Sequence, residues 1–454
     1  MMTIAARIDR LPTTPLLRKV LLLTGIGWLF DAMDQGMVSG VMAAIGKEWA
    51  LSTSQIGMLG SAGMLGMALG AALSGMAADR WGRRTIIMVT LIIYGAASAL
   101  SGFAINYPML LALRFLTGFG LGGELPAAAT LVSEFSPTRN RGRMVIFLES
   151  FWAWGWIAAA LVAYLLIPAY GWRTAFWVGA LPAFFAAILR QAVPESPRYL
   201  AASGRPAEAD RLVSLMEKQA GLAAPAADDS ATDSRSPAAQ VQRVTFLGLW
   251  SKPYLRTTIV LWIIWFGINF GYYGFVLWTP SLLVAQGFNL VKSFEFTLIM
   301  CLAQLPGYFS AAWLVERVGR KVVLSVYFFG TAVAAWLFGH AGSTSGILIY
   351  GCLLYFFSLG AWGCVYSYTP EVYPTVARAS GSGWSAAFGR LGAFLAPMAV
   401  PALYAAYGQK TGLTVVFILL TAVFAAVAIV VAVFGRETMG RSLEEINDPG
   451  SRQS

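Results

Sequence analysis

The stretch DRWGRR fills residues 79–84, and ERVGRK fills residues 316–321. Asp79-Arg80-Trp81-Gly82-Arg83-Arg84 thus returns as Glu316-Arg317-Val318-Gly319-Arg320-Lys321, an offset of 237. Glu134-Phe135-Ser136-Pro137 returns as Glu371-Val372-Tyr373-Pro374 at the same 237, and Arg141 returns as Arg378. Three matches at one spacing are hard to obtain by chance and predict two copies of one unit. Each motif lies between long apolar runs, so the unit is a set of hydrophobic segments joined by short charged loops.

A run of about 20 apolar residues can cross a bilayer as a helix. Six such runs fall at about 20–42, 55–77, 85–104, 107–130, 143–167 and 171–192. Six more fall at about 257–280, 293–315, 322–340, 345–367, 380–404 and 412–434. The sequence therefore predicts an N-terminal six-helix half over 1–192 and a C-terminal half with a short tail over 257–454. Between them, 193–256 reads as a cytoplasmic linker of short amphipathic helices around a flexible middle, GLAAPAADDSATDSRSPAAQ. The predicted fold class is an all-α membrane protein of twelve transmembrane helices in two pseudo-symmetric halves. An axis along the membrane normal relating two such halves is the large-scale symmetry of rocker-type secondary transporters.

The chain's 454 residues are 57% hydrophobic and 12% charged, whereas a soluble domain carries about 25% charged residues. A net charge of +10 raises the question of nucleic acid. The placement of the charges answers it. With the N-terminus inside, the cytoplasmic segments hold 26 of the 32 Lys and Arg, and the outer loops hold only Lys47, Arg173, Lys292 and Lys410. That bias predicts both termini in the cytoplasm of a bacterial-type inner membrane and accounts for the charge without nucleic acid. No cleavable signal is evident, since the first apolar run is too long for a signal h-region. Cys301, Cys352 and Cys364 lie in apolar runs with no metal-ligand spacing. There is no HExxH, P-loop or CxxC, and His340, near the outer end of the ninth helix, is the chain's one histidine. An enzyme, a metal site and a cofactor are therefore not expected, and energy should come from an ion gradient.

These loops carry a resemblance. GMAADRWGRR (75–84) is similar to the loop signature of the major facilitator superfamily. SEFSPTRNRGR (133–143), PESPRYL (194–200), TPEVYPTVARASG (369–381) and GRETMGRSLEEI (435–446) resemble the cytoplasmic signatures of its sugar-porter-like and organic-ion branch. The physics is that of a gate. Asp79, Glu134, Glu195, Glu316 and Glu371 are acidic; Arg83, Arg139, Arg141, Arg143, Arg320 and Arg378 are basic. Such a layer can pair when an inner gate closes and separate when it opens, biasing a two-state rocker.

Ionisable residues inside a membrane are functional candidates by default. Here they are Asp31, Asp34, Arg114, Glu124, Glu149 and Arg390. Counted from the outer ends of the first and fourth spans, Asp34 and Arg114 both lie about 10–12 Å deep, so they can meet. Burial favours a neutral acid and a nearby guanidinium favours its carboxylate. An arginine that swings away and returns would thus load and release a proton. The resemblance implies the same: MDQGMVSG is similar to the sugar-porter pattern Y-D-x-G-x-x-S-G, and RFLTGFGLGG to that family's fourth-helix signature. In that family this Asp and this Arg form the proton-coupling pair. Asp31 lies on roughly the same helix face, where sugar porters usually have Gly. It is a second proton site or a substrate contact. Glu124 follows the glycines of the fourth helix and joins the substrate-binding candidates. Glu149 stands where sugar porters carry a substrate-contacting Gln.

Arg390 lies near the midplane of the eleventh span with no acid on a neighbouring C-terminal helix as an obvious partner. Its fork fits a carboxylate bidentately, and organic-anion members of the superfamily resemble this. In the seventh helix Gly267-Ile268-Asn269 and Tyr272-Tyr273 are similar to sugar porters, but two Gln that would hold sugar hydroxyls are replaced by Ile263 and Ile264. Trp362 stands where sugar porters carry a pocket Trp. Trp28, Trp265 and Tyr366 add to a dense aromatic set. Aromatic walls with one midplane Arg suit a flat aromatic monocarboxylate. FDAMD followed by GFGLGGELP most resembles bacterial niacin transporters. The expected function is thus proton-coupled uptake of nicotinate, or nicotinamide, by a monomer in the lipid bilayer. The alternatives are a benzoate-type symporter, a sugar porter and a non-transporting membrane sensor.

Overall fold

Apolar runs of this length leave a backbone in lipid one economical way to satisfy its N–H and C=O groups, the α-helix. The computed structural model describes residues 4–137, 141–222, 246–373 and 375–439, and these are helical with no strand. The N-terminal elements are α1 (Ile4–Asp9), α2 (Pro15–Glu48), α3 (Thr53–Trp81), α4 (Arg83–Ser101), α5 (Tyr107–Phe135), α6 (Arg141–Leu165), α7 (Ile167–Tyr170), α8 (Arg173–Val178) and α9 (Leu181–Ala192). The linker contributes α10 (Pro197–Ala202) and α11 (Pro206–Gln219), while 223–245 lie outside the described residues. The rest is α12 (Lys252–Val276), α13 (Thr279–Ala285), α14 (Leu290–Leu302), α15 (Gln304–Val318), α16 (Arg320–Gly339), α17 (Thr344–Glu371) and α18 (Thr375–Phe434).

Ten segments among the described residues are long and apolar enough to cross a membrane. Helices α2 and α3, at 34 and 29 residues, also have the length. The 60-residue α18 is two spans: Gly408 leaves helical geometry at φ 76°, between Ser380–Gly408 and Thr411–Phe434.

Packing divides the chain into two compact units. One holds the described residues of Met1–Met37, Ala62–Val162 and Ala169–Ala238; the other holds Val38–Ser61, Ala163–Pro168 and the described residues of Ala239–Ser454. Inside each unit the repeat seen in the loops recurs in the packing, at the same offset. A Cβ on Gly70 would lie 1.9 Å from the Phe119 carbonyl oxygen, and one on Gly307 would lie 2.1 Å from that of Phe356. Glycine there lets α3 close on α5 and α15 close on α17 with backbones in contact. Asn106 caps α5 by accepting from the Met109 N–H at 2.9 Å, and Ser343 caps α17 by accepting from the Gly346 N–H at 3.1 Å.

The two signature turns are built alike. Gly82 and Gly319 adopt φ of 94° and 103°, a region side-chain-bearing residues avoid. A glutamate carboxylate covers the following helix start in each. Glu195 accepts from the Arg84 N–H at 3.3 Å; Glu437 accepts from the Arg320 and Lys321 N–H groups at 2.9 and 3.1 Å. Anions are favoured at such helix starts, whose N–H groups have no intrahelical partner.

Helix α1 docks on α11. Arg7 donates to both Glu217 oxygens, at 3.1 and 2.7 Å, and to Ser214 at 2.9 Å, and it pairs with Asp210. Arg10 reaches Glu217 at 2.5 Å. Helix α11 turns Ala209, Val213 and Met216 inward, the amphipathic pattern expected of the linker.

Candidate functional site

Helices α2 and α5 bring Asp34 and Arg114 together. Arg114 Nη2 donates to Asp34 Oδ2 at 2.9 Å, with side chains 4% and 1% exposed. The Ser98 hydroxyl of α4 donates to the other oxygen, Oδ1, at 3.0 Å. The guanidinium lies 5.5 Å above the Phe176 ring. Its Nε and Nη1 are buried without a hydrogen-bond partner. The carboxylate is thus well satisfied while the arginine keeps donors in reserve. Ser98 and Phe176 were not legible beforehand, because a lone serine or phenylalanine in an apolar run carries no pairing signal.

Asp31 and Glu124 are both fully buried in the same unit. The Asp31 carboxyl faces Glu124 and the Tyr94 hydroxyl of α4. Tyr94, again an unmarked residue in an apolar helix, was missed by sequence reasoning. Trp28 is buried and meets Trp152 at 4.9 Å between ring centroids. Glu149 on α6 is partly buried.

Trp28 apart, the predicted aromatic set gathers in the second unit. Trp265 meets Tyr366 edge-on at 5.4 Å and Trp362 at 5.9 Å, and Tyr366 stacks on Trp362 at 5.6 Å. Tyr272 meets Trp362 at 6.0 Å and Tyr273 at 5.4 Å. Trp265 Nε1 donates to Thr369 at 3.0 Å, fixing the indole. Asn269 is turned inward on its own helix, its amide donating to the Trp265 carbonyl at 2.8 Å. That bond, with Gly389 packed against it, spends an amide donor that a sugar hydroxyl could otherwise have met. Arg390 is partly buried and faces the Tyr273 hydroxyl. Among the described residues it forms no ion pair with a carboxylate. A cation beside a phenol can accept a planar carboxylate.

Of the predicted gate, Arg83 and Glu134 meet at 3.3 Å. At the repeat offset, Arg320 meets Glu371 at 3.2 Å and also the exposed Glu316 at 3.0 Å. Thr438 donates to Glu371 as well, at 2.5 Å. Glu437 lies in the GRETMGRSLEEI stretch, where nothing in its spacing marks it as the cap of a turn more than a hundred residues away. The side chains of Asp79, Arg141 and Arg378 lie outside the described ones, as do Arg139 and Arg143. Among the described residues no cluster of three or more His, Cys, Asp or Glu could hold a metal.

Comparison with known proteins agrees with this geometry at the level of the family. The model of the family described as "Sugar (and other) transporter" matches residues 30–448. The chain is 48% identical over 445 residues to the niacin transporter NiaP of Acinetobacter baylyi, covering 98% of this chain and 100% of that one. It is 32% identical over 447 residues to the synaptic vesicle 2-related protein of Xenopus laevis, covering 94% and 79%. Among solved structures, the partially occluded inward-open xylose transporter XylE of E. coli aligns with a TM-score of 0.72 at 20% identity, covering 94% of this chain and 99% of that one. The last likeness bears on fold alone, an all-helical arrangement in two six-helix halves. The chain is a multi-pass membrane transporter, not an enzyme, and it belongs to the sugar (and other) transporter family of the major facilitator superfamily.

Proposed function

We propose that this protein takes up niacin as the nicotinate anion together with a proton, by alternating access across a bacterial-type inner membrane. The observation that carries the substrate is Arg390, which faces the Tyr273 hydroxyl and has no carboxylate partner among the described residues, in the unit that also holds the Trp265–Trp362–Tyr366 cluster. A pyridine carboxylate would supply the missing anion and a ring for the aromatic wall. The full-length relative named as a niacin transporter supports the same substrate. Nicotinamide lacks the charge and would bind less well.

Asp34 is the proton carrier in this reading and Arg114 its counter-ion, since a buried acid with one strong cationic partner changes protonation when that partner moves. The Arg83–Glu134 and Arg320–Glu371 pairs tie helix ends at the cytoplasmic side of each half, and their release accompanies opening. Both termini face the cytoplasm, the halves are 1–192 and 257–454 with 193–256 as linker, and the monomer is the working unit. Trp28 and Glu149 are proposed as substrate contacts of the first unit, and Asn269 supports the second unit's aromatic cluster through its bond to the Trp265 carbonyl.

Uptake of labelled nicotinate into proteoliposomes with an inward proton gradient tests this. Accumulation should collapse with protonophore and be blocked by excess nicotinate but not glucose. Arg390→Ala should raise KM for nicotinate at least about tenfold, the loss of one charge-assisted contact. Accumulation of benzoate but not nicotinate would replace the substrate. Accumulation indifferent to protonophore would remove proton coupling.

A further inference from the structure

Three helices of the first unit deliver polar groups to one dry spot. Asp31 comes from α2, Glu124 from α5 and Tyr94 from α4, and each is 0% exposed. Asp31 faces Glu124, Tyr94 and, along its own helix, Asp34. Among the described residues, neither Asp31 nor Glu124 forms an ion pair; the nearby arginine, Arg114, is paired with Asp34. The four carboxyl oxygens and the Tyr94 hydroxyl make no aligned hydrogen bond. Room for Glu124 is made by Gly27, one turn before Asp31, where a Cβ would stand 2.2 Å from Glu124 Oε1.

Two carboxylates facing each other in an apolar interior repel with no solvent to screen them. One proton shared between them replaces that repulsion with a short O–H···O bond, and the pair then titrates as a unit. Tyr94 adds a hydroxyl that can donate to whichever oxygen is left charged. A structural role alone would be met by Asn or Gln, without a group whose charge changes.

We propose that Asp31 and Glu124 form a second proton site, which loads one proton on the outward side and releases it to the cytoplasm in each cycle. This rests on the proton-coupled reading above and extends it. Asp34 carries one proton, the Asp31–Glu124 pair carries another, and one nicotinate anion enters with them. Two positive charges and one negative charge make the cycle electrogenic, moving one net positive charge inward.

The test is a reversal-potential measurement on the full chain in proteoliposomes. Gradients of pH and nicotinate are fixed, the membrane potential is set with valinomycin and potassium, and the potential of zero net nicotinate flux is read. Wild type should reverse at the potential set by two protons per nicotinate, whereas Glu124→Gln, carrying one proton with one anion, should be electroneutral and balance on the pH and nicotinate gradients alone, at no particular potential. A wild-type ratio of one overturns the second site and leaves the Asp34 reading standing. A Glu124→Gln protein that keeps the ratio of two also overturns it. A wild-type flux that ignores the pH gradient sinks the proton-coupled reading and this extension together. The wild-type ratio decides the matter even if Glu124→Gln fails to fold.

Discussion

Asp31, Asp34, Arg114 and Glu124 have counterparts 237 positions later: Ile268, Gly271, Gly351 and Ala361. The two halves therefore share a frame and differ in what fills it. The frame is the pair of close glycine contacts, the helix caps at Asn106 and Ser343, and the glutamate-covered turns at Gly82 and Gly319. In the first half the space inside that frame holds a carboxylate–guanidinium pair and two further acids. In the second, apolar side chains take the same space. A Cβ on Gly271 would lie 2.2 Å from the Phe424 ring, and one on Gly351 would lie 2.3 Å from the Met300 methyl. The second half's charge sits elsewhere, on Arg390, whose counterpart is Ala153. In the proposed function, a duplicated scaffold thus assigns the proton to one copy and the anion to the other.

Placing an acid in the wrong copy should break the contrast most severely. Gly271→Asp would drive a buried carboxylate into the Phe424 ring, at a cost of roughly 3–5 kcal/mol or more. We expect a large fall in Tm in detergent, while a small fall would mean that the second half tolerates charge as the first does. Next comes Arg114→Ala, which leaves Asp34 buried and unpaired, again about 3–5 kcal/mol. Adding Asp34→Asn should recover most of the lost Tm, because the uncompensated charge is then gone. If the double variant melts no higher than the single, the pair is not what Arg114 stabilises.

The shared frame is sharpened by Gly70→Ala and Gly307→Ala. Each pushes two backbones apart, and overpacking of this kind costs roughly 1–3 kcal/mol. The two should lower Tm by similar amounts. Unequal losses would show that the frame is less symmetric than its contacts.

The smallest effect concerns a feature of one half only, the docking of α1 on α11. Hydrogen bonds from Arg7, opposed by burial and joined by Arg10, hold the Glu217 carboxyl below the usual carboxylate range. A depressed carboxyl stabilises above its unfolded value of about 4.3 and loses that contribution as pH falls through the folded value. Protection of the Ile4–Asp9 amides against hydrogen exchange, taken relative to the intrinsic rate at each pH, should be high at neutral pH and fall in acid below about pH 4. Glu217→Gln should be poorly protected throughout, and unaltered protection would remove the anchor.

How much of this was legible follows from the range of each signal. The two signature loops recur as strings, so the duplication and the charged layer holding Arg83, Glu134, Arg320 and Glu371 could be read directly, but not which arginine meets which glutamate. Asp34 and Arg114 could be matched by depth, since a helix converts residue count into distance. The aromatic cluster showed as composition. What was hidden depends on lateral neighbours. Ser98 and Tyr94 are single polar groups on an apolar helix, and only packing reveals which acid each faces. Glu437 caps the second turn after a shift of register, 242 rather than 237 positions from Glu195, so the repeat did not expose it. The docking of α1 needs Arg7 and Glu217, 210 residues apart, to be known as neighbours.

The central claim is that the proton belongs to the first half through Asp34. The direct measurement is nicotinate accumulation in proteoliposomes under an imposed pH gradient, wild type against Asp34→Asn. The account predicts that wild type concentrates nicotinate and that Asp34→Asn brings it no higher inside than out. An Asp34→Asn protein that concentrates nicotinate as wild type does, with the same sensitivity to protonophore, would contradict it.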